Sequence, residues 1–340
     1  MRKKFRILAA LMALCLGAAI LSGCAGSASS APGASSGSTS GEEKSLRVVA
    51  TIFPVYDWAR QVVGDLPGVE LVWLQDTGVD LHSYQPSAAD LLNLSSCDLF
   101  LYVGGESDSW VAGALEEAMN PDLQALNLLE ALGDKARPET LTEGMQAEED
   151  HDGHDHDHEE EETADEHIWL SLRNASLLTG ALADALGRLD PDNADAYAAN
   201  AAAYQAQLAD LDAEYQAAVE GASASALLFG DRFPFRYLAD DYGLEVYAAF
   251  PGCSAETEAS FETVAFLADK VDQLGLPAVL TIEGSDQRVA QTIIQNTAAQ
   301  NAALLRLDSM QGTTARDAAD GASYLSIMES NLAVLKTALA

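Results

Sequence analysis

Residues 172 to 220 carry helical periodicity almost without a break, and on either side short β-rich apolar runs alternate with helical segments. The one interruption, Leu186-Gly-Arg-Leu-Asp-Pro-Asp-Asn193, supplies a Gly stop, a Pro and a capping Asp or Asn. Beyond it an Ala-rich run with Leu, Tyr and Val at helical spacing continues for about 27 residues to Glu220, roughly 40 Å of helix at about 1.5 Å per residue. Such a helix either joins two lobes as a spine or lies along one of them, and the pattern leaves both open. Before it, Arg47–Phe53, Val69–Leu74 and Leu99–Val103 read as strands, with a Ser-capped helix over Ser87–Leu94. After it, strands are expected at Ala226–Phe229, Glu245–Phe250, Ala278–Ile282 and Leu304–Leu307. Helices are expected near Phe235–Tyr242, Phe261–Leu274, Asp286–Gln300 and Ala322–Leu339. The alternation predicts α/β units with parallel sheets. The roughly 295 residues that follow Leu46 exceed what one core usually organises, so two lobes are expected.

The first residues have another character. Arg2, Lys3, Lys4 and Arg6 precede an apolar stretch, Ile7–Ile20, too short for a comfortable membrane span. This is the pattern of a secretory signal peptide over residues 1–23. Leu21-Ser-Gly-Cys24 is similar to a bacterial lipobox, in which the Cys becomes the lipidated first residue of the mature chain. The Gly-, Ser-, Ala- and Pro-rich stretch up to residue 45 has too little apolar surface to fold and reads as a tether. The protein is therefore expected outside the cytoplasm, anchored to the membrane through Cys24. The formal net charge is −35, and removal of the basic signal makes the rest more acidic still. Such a surface argues against nucleic acid or anionic lipid as a partner and favours cations. Cys15 and Cys24 belong to the export signal; for Cys97 and Cys253 a disulfide and two separate thiols are both open.

Of six His in the chain, His151, His154, His156 and His158 fall within the run 148–162, where every other residue except Gly153 is Asp or Glu. The run cannot pack a core, and an acidic solvated loop needs no His. Imidazole with carboxylate is a donor set for zinc and other late transition metals, so an auxiliary metal-binding loop is expected here. His82 and His167 are isolated. His82, Asp231, Glu283 and Asp308 each follow an apolar strand at its carboxyl end, the edge of an open α/β sheet where ligands bind. His and carboxylates meeting there would form a compact nitrogen–oxygen site of about four ligands, as zinc prefers. No His-Glu-x-x-His helix and no Ser or Cys nucleophile signature stands out, which sets a secreted zinc hydrolase aside and points away from an enzyme.

Several segments carry a family likeness: Ala50-Thr-Ile-Phe-Pro54, Gly78-Val-Asp-Leu-His-Ser-Tyr-Gln-Pro-Ser87, Asp98–Gly105 followed by Trp110, Glu166-His-Ile-Trp-Leu170, Asp190-Pro-Asp-Asn193, Phe235-Arg-Tyr-Leu238 and Leu307-Asp308. In these the chain resembles the zinc and manganese substrate-binding proteins of bacterial ABC transporters, the ZnuA-like group. The resemblance implies two α/β lobes with parallel sheets, 46–190 and 222–340, joined by a long linking helix within 191–221, with one metal ion in the interlobe cleft. His82 and His167 occupy the family's first-lobe ligand positions, and Asp308 the carboxylate position of the second lobe. The family's third ligand position falls on Arg232, which stays protonated and cannot ligate. The neighbouring Asp231 is the expected replacement, with Glu283 as an additional ligand or supporting group. The implied function is capture of Zn2+ by a monomer and delivery to a membrane ABC permease, the His-rich loop collecting zinc and the long helix limiting hinge motion. Mn2+ is the runner-up, since Asp in place of His hardens the site. A metal-buffering or adhesin lipoprotein without a transporter is the rival from another class.

Overall fold

Two four-stranded sheets, each flanked by helices, make up the computed structural model, which describes residues 45–146, 163–254 and 258–340. The signal segment, Cys24, the tether up to residue 44 and the His-rich run 148–162 lie outside the described residues. In the first half β1 (Leu46–Ala50), α1 (Phe53–Val63), β2 (Val69–Trp73) and α2 (Ala88–Ser96) lead to β3 (Leu99–Tyr102), α3 (Trp110–Glu116), β4 (Gln124–Asn127) and α4 (Leu128–Leu132). Two long helices follow, α5 (Leu172–Leu189) and α6 (Ala194–Glu220). The second half runs β5 (Ala226–Phe233), α7 (Arg236–Tyr242), β6 (Glu245–Pro251), α8 (Phe261–Leu274) and β7 (Ala278–Thr281). It ends with α9 (Arg288–Asn296), β8 (Ala303–Arg306), α10 (Ala315–Ala319) and α11 (Tyr324–Ala338).

Every strand pairing is parallel, and the spatial orders β2-β1-β3-β4 and β6-β5-β7-β8 are the same order counted from the start of each half. β2 and β6 are therefore equivalent strands. The carboxyl ends of such sheets hold the loops that can build a site. Local signals account for many helix boundaries. Ser87 and Asp90 close a capping box on α2, and Ser260 caps α8. Gly275 ends α8 in the left-handed conformation that glycine adopts without a Cβ penalty. Several elements depart from the sequence expectation, among them the helices α3, α4 and α10, for which none was stated, and two strands. β4 is short and polar, and pairing with β3 defines it. β5 runs past Phe229 to Phe233 because its register against β6 shifts between Phe229 and Arg232, an irregularity of the kind that re-aims side chains.

The stripe Tyr197, Ala201, Tyr204, Leu208, Leu211 and Tyr215 buries one side of α6. It packs on α5 and α1 in the first half and on α7 and α11 in the second, so the long helix joins the two lobes. The Tyr215 hydroxyl donates to the carbonyl of Met328 in α11 at 2.7 Å. α11 also returns to the first lobe. Tyr324 meets Trp58 edge-on at 5.4 Å, its hydroxyl donates to the Trp169 carbonyl at 2.6 Å, and its amide donates to Asp57 at 2.9 Å. One hydrophobic core thus runs through both lobes, from Val48 to Leu339. Among the described residues no helix is long and apolar enough to cross a membrane.

Candidate metal centre

His82 stands on a single 3-10 turn, Leu81–Ser83, after β2. Buried Leu81 anchors the turn from below, and the Asp80 carboxylate caps it by accepting the His82 amide at 3.0 Å. On the ring, Nδ1 lies 2.8 Å from Ser107 Oγ and 3.5 Å from Glu166 Oε2. Ser107 in turn hydrogen-bonds Glu166 through both its hydroxyl and its amide, the latter at 2.9 Å. The acceptor chain ends in a carboxylate, so the proton of the neutral ring belongs on Nδ1 and the Nε2 lone pair is free.

His167 reaches the same state by another route. Its ring is fully buried just before the 3-10 turn Ile168–Leu170, and Nδ1 lies 2.9 Å from Asp165 Oδ1, which also accepts the His167 amide at 2.8 Å. A carboxylate only accepts, so Nδ1 carries the hydrogen and Nε2 the lone pair. The support is shared between lobes: the Tyr237 hydroxyl of α7 donates to the Asp165 carbonyl at 2.9 Å.

The two Nε2 atoms are 3.1 Å apart. With both Nδ1 atoms engaged as donors, this is an approach of two lone pairs, which repel unless a cation lies between them. Two nitrogens bound tetrahedrally to zinc at about 2.05 Å are separated by roughly 3.3 Å, so the donor pair fits that ion. Burial and repulsion from His167 push the His82 pKa down to about 3, which keeps the ring neutral and available as a ligand at physiological pH.

A third donor completes the group. Among the described residues, the side chains placed to share a metal are His82, His167 and Cys253, their donor atoms all within 4.8 Å of one another. Cys253 follows β6 as His82 follows β2. Gly252 is required beside it, because a Cβ there would lie 3.0 Å from His167 Cε1 and 2.9 Å from the Phe233 carbonyl oxygen. Cys97 and Cys253 are both free thiols, and Cys97 is buried in a separate cluster under the first sheet. Sequence reasoning weighed Cys253 only for pairing. The signal that could have found it is its place just past the apolar strand β6, on the same sheet edge that singled out His82 after β2.

Asp231 and Asp308 lie outside this group. Asp231 accepts the amides of Arg232 at 2.9 Å and Ile282 at 3.3 Å, and Asp308 accepts the Met310 amide at 2.8 Å. Burial and neighbouring Glu283 raise the Asp308 pKa to about 6. Glu283 receives the amides of Ser309, Gln311 and Gly312 and the Ser309 hydroxyl, at 2.6–3.2 Å, so it holds the loop after β8. Asp231 and Glu283 share a cavity of about 490 Å³ with Asp80 and Arg232. A second cavity of about 780 Å³ opens on His82 and Cys253 and is lined by the carboxylates of Glu106, Glu139 and Glu166.

Two parallel α/β lobes on one core, with imidazole and thiol donors converging at the carboxyl ends of their strands, define a two-lobed metal-binding class of protein. The chain belongs to the ZnuA family, the periplasmic component A of the zinc-uptake complex, whose family model matches residues 48–338. The zinc-binding lipoprotein AdcA of Streptococcus pneumoniae is 32% identical over 291 residues, covering 86% of this chain and 55% of AdcA. The chain thus spans about half the length of that relative. The high-affinity zinc uptake system protein ZnuA of Bacillus subtilis is 30% identical over 304 residues, covering 89% of this chain and 90% of the relative. The crystal structure of the Zn(II)-bound ZnuA-like domain of S. pneumoniae AdcA superposes with a TM-score of 0.67 at 27% identity, covering 87% of this chain and 99% of that domain.

Proposed function

We propose that this protein captures Zn2+ outside the cytoplasm and delivers it to the permease of an ABC transporter. The observation that carries the reading is the 3.1 Å approach of two imidazole lone pairs whose opposite nitrogens are both engaged. Such a pair is preorganised for a dication, and imidazole ligands suit zinc. In this reading His82 and His167 hold the cargo, the lipid on Cys24 keeps the protein at the membrane, and the protein acts as a monomer without catalysis.

The run with His151, His154, His156 and His158 collects zinc and raises its local concentration. Its position supports this: Thr163 and Ala164, directly after the run in sequence, line the acidic cavity that opens on His82. Carboxylates in that cavity attract a dication electrostatically. Metal analysis and zinc titration of two full-chain variants test the reading. Deletion of 148–162 should leave one tight site, and His82→Ala with His167→Ala should abolish it. A double variant that still binds one zinc tightly would refute the assignment.

A further inference from the structure

We propose that Cys253 is the third protein ligand of the cleft ion, which makes the site two imidazoles and a thiolate. This rests on the metal-capture reading above and specifies its chemistry. With bonds of about 2.05 Å to nitrogen and 2.3 Å to sulfur, tetrahedral zinc holds its donors roughly 3.3 Å (N to N) and 3.6 Å (N to S) apart. The three donors here already lie within 4.8 Å, and the two nitrogens stand at 3.1 Å. Bringing the sulfur into range takes a shift of at most about 1.2 Å, the difference between 4.8 Å and the tetrahedral 3.6 Å. On ligation the thiol gives its proton to solvent and the sulfur binds the ion as thiolate.

Arg232 explains why the third donor comes from β6. Its guanidinium cannot ligate, and it faces the first lobe instead, pairing with Asp80 Oδ2 at 2.6 Å. It also donates to the Ser254 carbonyl at 3.4 Å. Asp80 caps the His82 turn, and Ser254 directly follows Cys253. Arg232 is therefore a strut fastening the Cys253 turn to the His82 turn. Gly252 provides the close passage the turn needs beside His167. Asp231, the carboxylate next to the strut, accepts the backbone amides of Arg232 and Ile282 and is not one of the three clustered donors. A thiolate is a soft donor, so this set favours zinc and disfavours manganese.

The test uses the full chain loaded with Co2+ and, separately, titrated with zinc. The unaltered chain and a Cys97→Ser control should show a thiolate-to-cobalt charge-transfer band in the near ultraviolet. Cys253→Ser and Cys253→Ala should lose it and bind zinc more than about a hundredfold more weakly, beyond the 10–100-fold that losing an outer partner costs. Cys253→His should regain zinc affinity without the band, which shows that the position folds and ligates. Retention of both band and affinity in Cys253→Ser overturns the proposal. If Cys253→Ser binds normally while the His82 and His167 double variant does not, Cys253 fails as a ligand and metal capture stands. Tight zinc binding in the double variant removes the capture reading itself.

Discussion

Replacing Asp165 separates a ligand's presence from its preparation. The carboxylate touches no metal donor position itself; its Oδ1 accepts two hydrogen bonds from His167, one from the amide at 2.8 Å and one from Nδ1 at 2.9 Å. In Asp165→Asn an amide oxygen can take the same place, so the tautomer is kept while the charge that makes the imidazole more basic is lost. In Asp165→Ala both hydrogen bonds vanish, the buried amide is left unpaired and the ring is free to place its hydrogen on Nε2. Loss of an outer partner of a metal-bound His costs about 10–100-fold in affinity, or about 1.4–2.8 kcal/mol at 1.4 kcal/mol per tenfold. Asp165→Asn should fall near the lower end and Asp165→Ala near the upper. Competition with a chromophoric chelator measures the zinc affinity, and urea unfolding of the metal-free chain reads the second cost. The unpaired amide should lower the stability of Asp165→Ala by about 1–3 kcal/mol. If both variants bind zinc within twofold of the unaltered chain, the orienting role of Asp165 is refuted.

Arg232→Ala should lower zinc affinity by about tenfold without abolishing it, since the ligands remain and only the outer tie between their turns is cut; the same chelator competition measures it. Glu283→Gln replaces a two-oxygen acceptor that takes four donors, so urea unfolding should show a loss of about 1–3 kcal/mol, while zinc analysis shows unchanged stoichiometry. Burial pushes the Asp108 pKa up to about 6 from an ordinary 3.8, so the folded chain holds this proton more tightly than the unfolded one. Its destabilising contribution therefore grows as pH rises from about 4 to 6 and is complete above that. Asp108→Asn should flatten this part of the stability curve and gain most at pH 7, as measured by urea unfolding at pH 5 and 7; an unchanged slope refutes it.

The sheets were legible because their strands are short apolar runs between strong helix signals, and Phe261–Leu274 shows the limits of a helix directly from its Ser and Gly caps. β4 was not legible: Gln124–Asn127 has no strand signal of its own and exists through its pairing with β3. The two imidazoles could be named from their segments, although nothing in the sequence gives the 3.1 Å between them. Asp231, Glu283 and Asp308 also stand after strands, but which backbone amides each accepts depends on loop conformations that spacing does not encode. Cys253 escaped because a single thiol far from its only candidate partner suggests redox chemistry before coordination.

The return of α11 to the first lobe bears on how cargo could leave. Tyr324 is clasped by Trp58, Trp169 and Asp57 inside a continuous core, and parting the lobes would tear aromatic surface out of that clasp. The strut between Asp80, Arg232 and Ser254 is small, polar and partly reached by water, so it yields at far lower cost. In the proposed transport role, loosening this polar tie against the rigid frame would be the cheaper first movement toward release, and the metal–ligand bonds would still have to be broken after it.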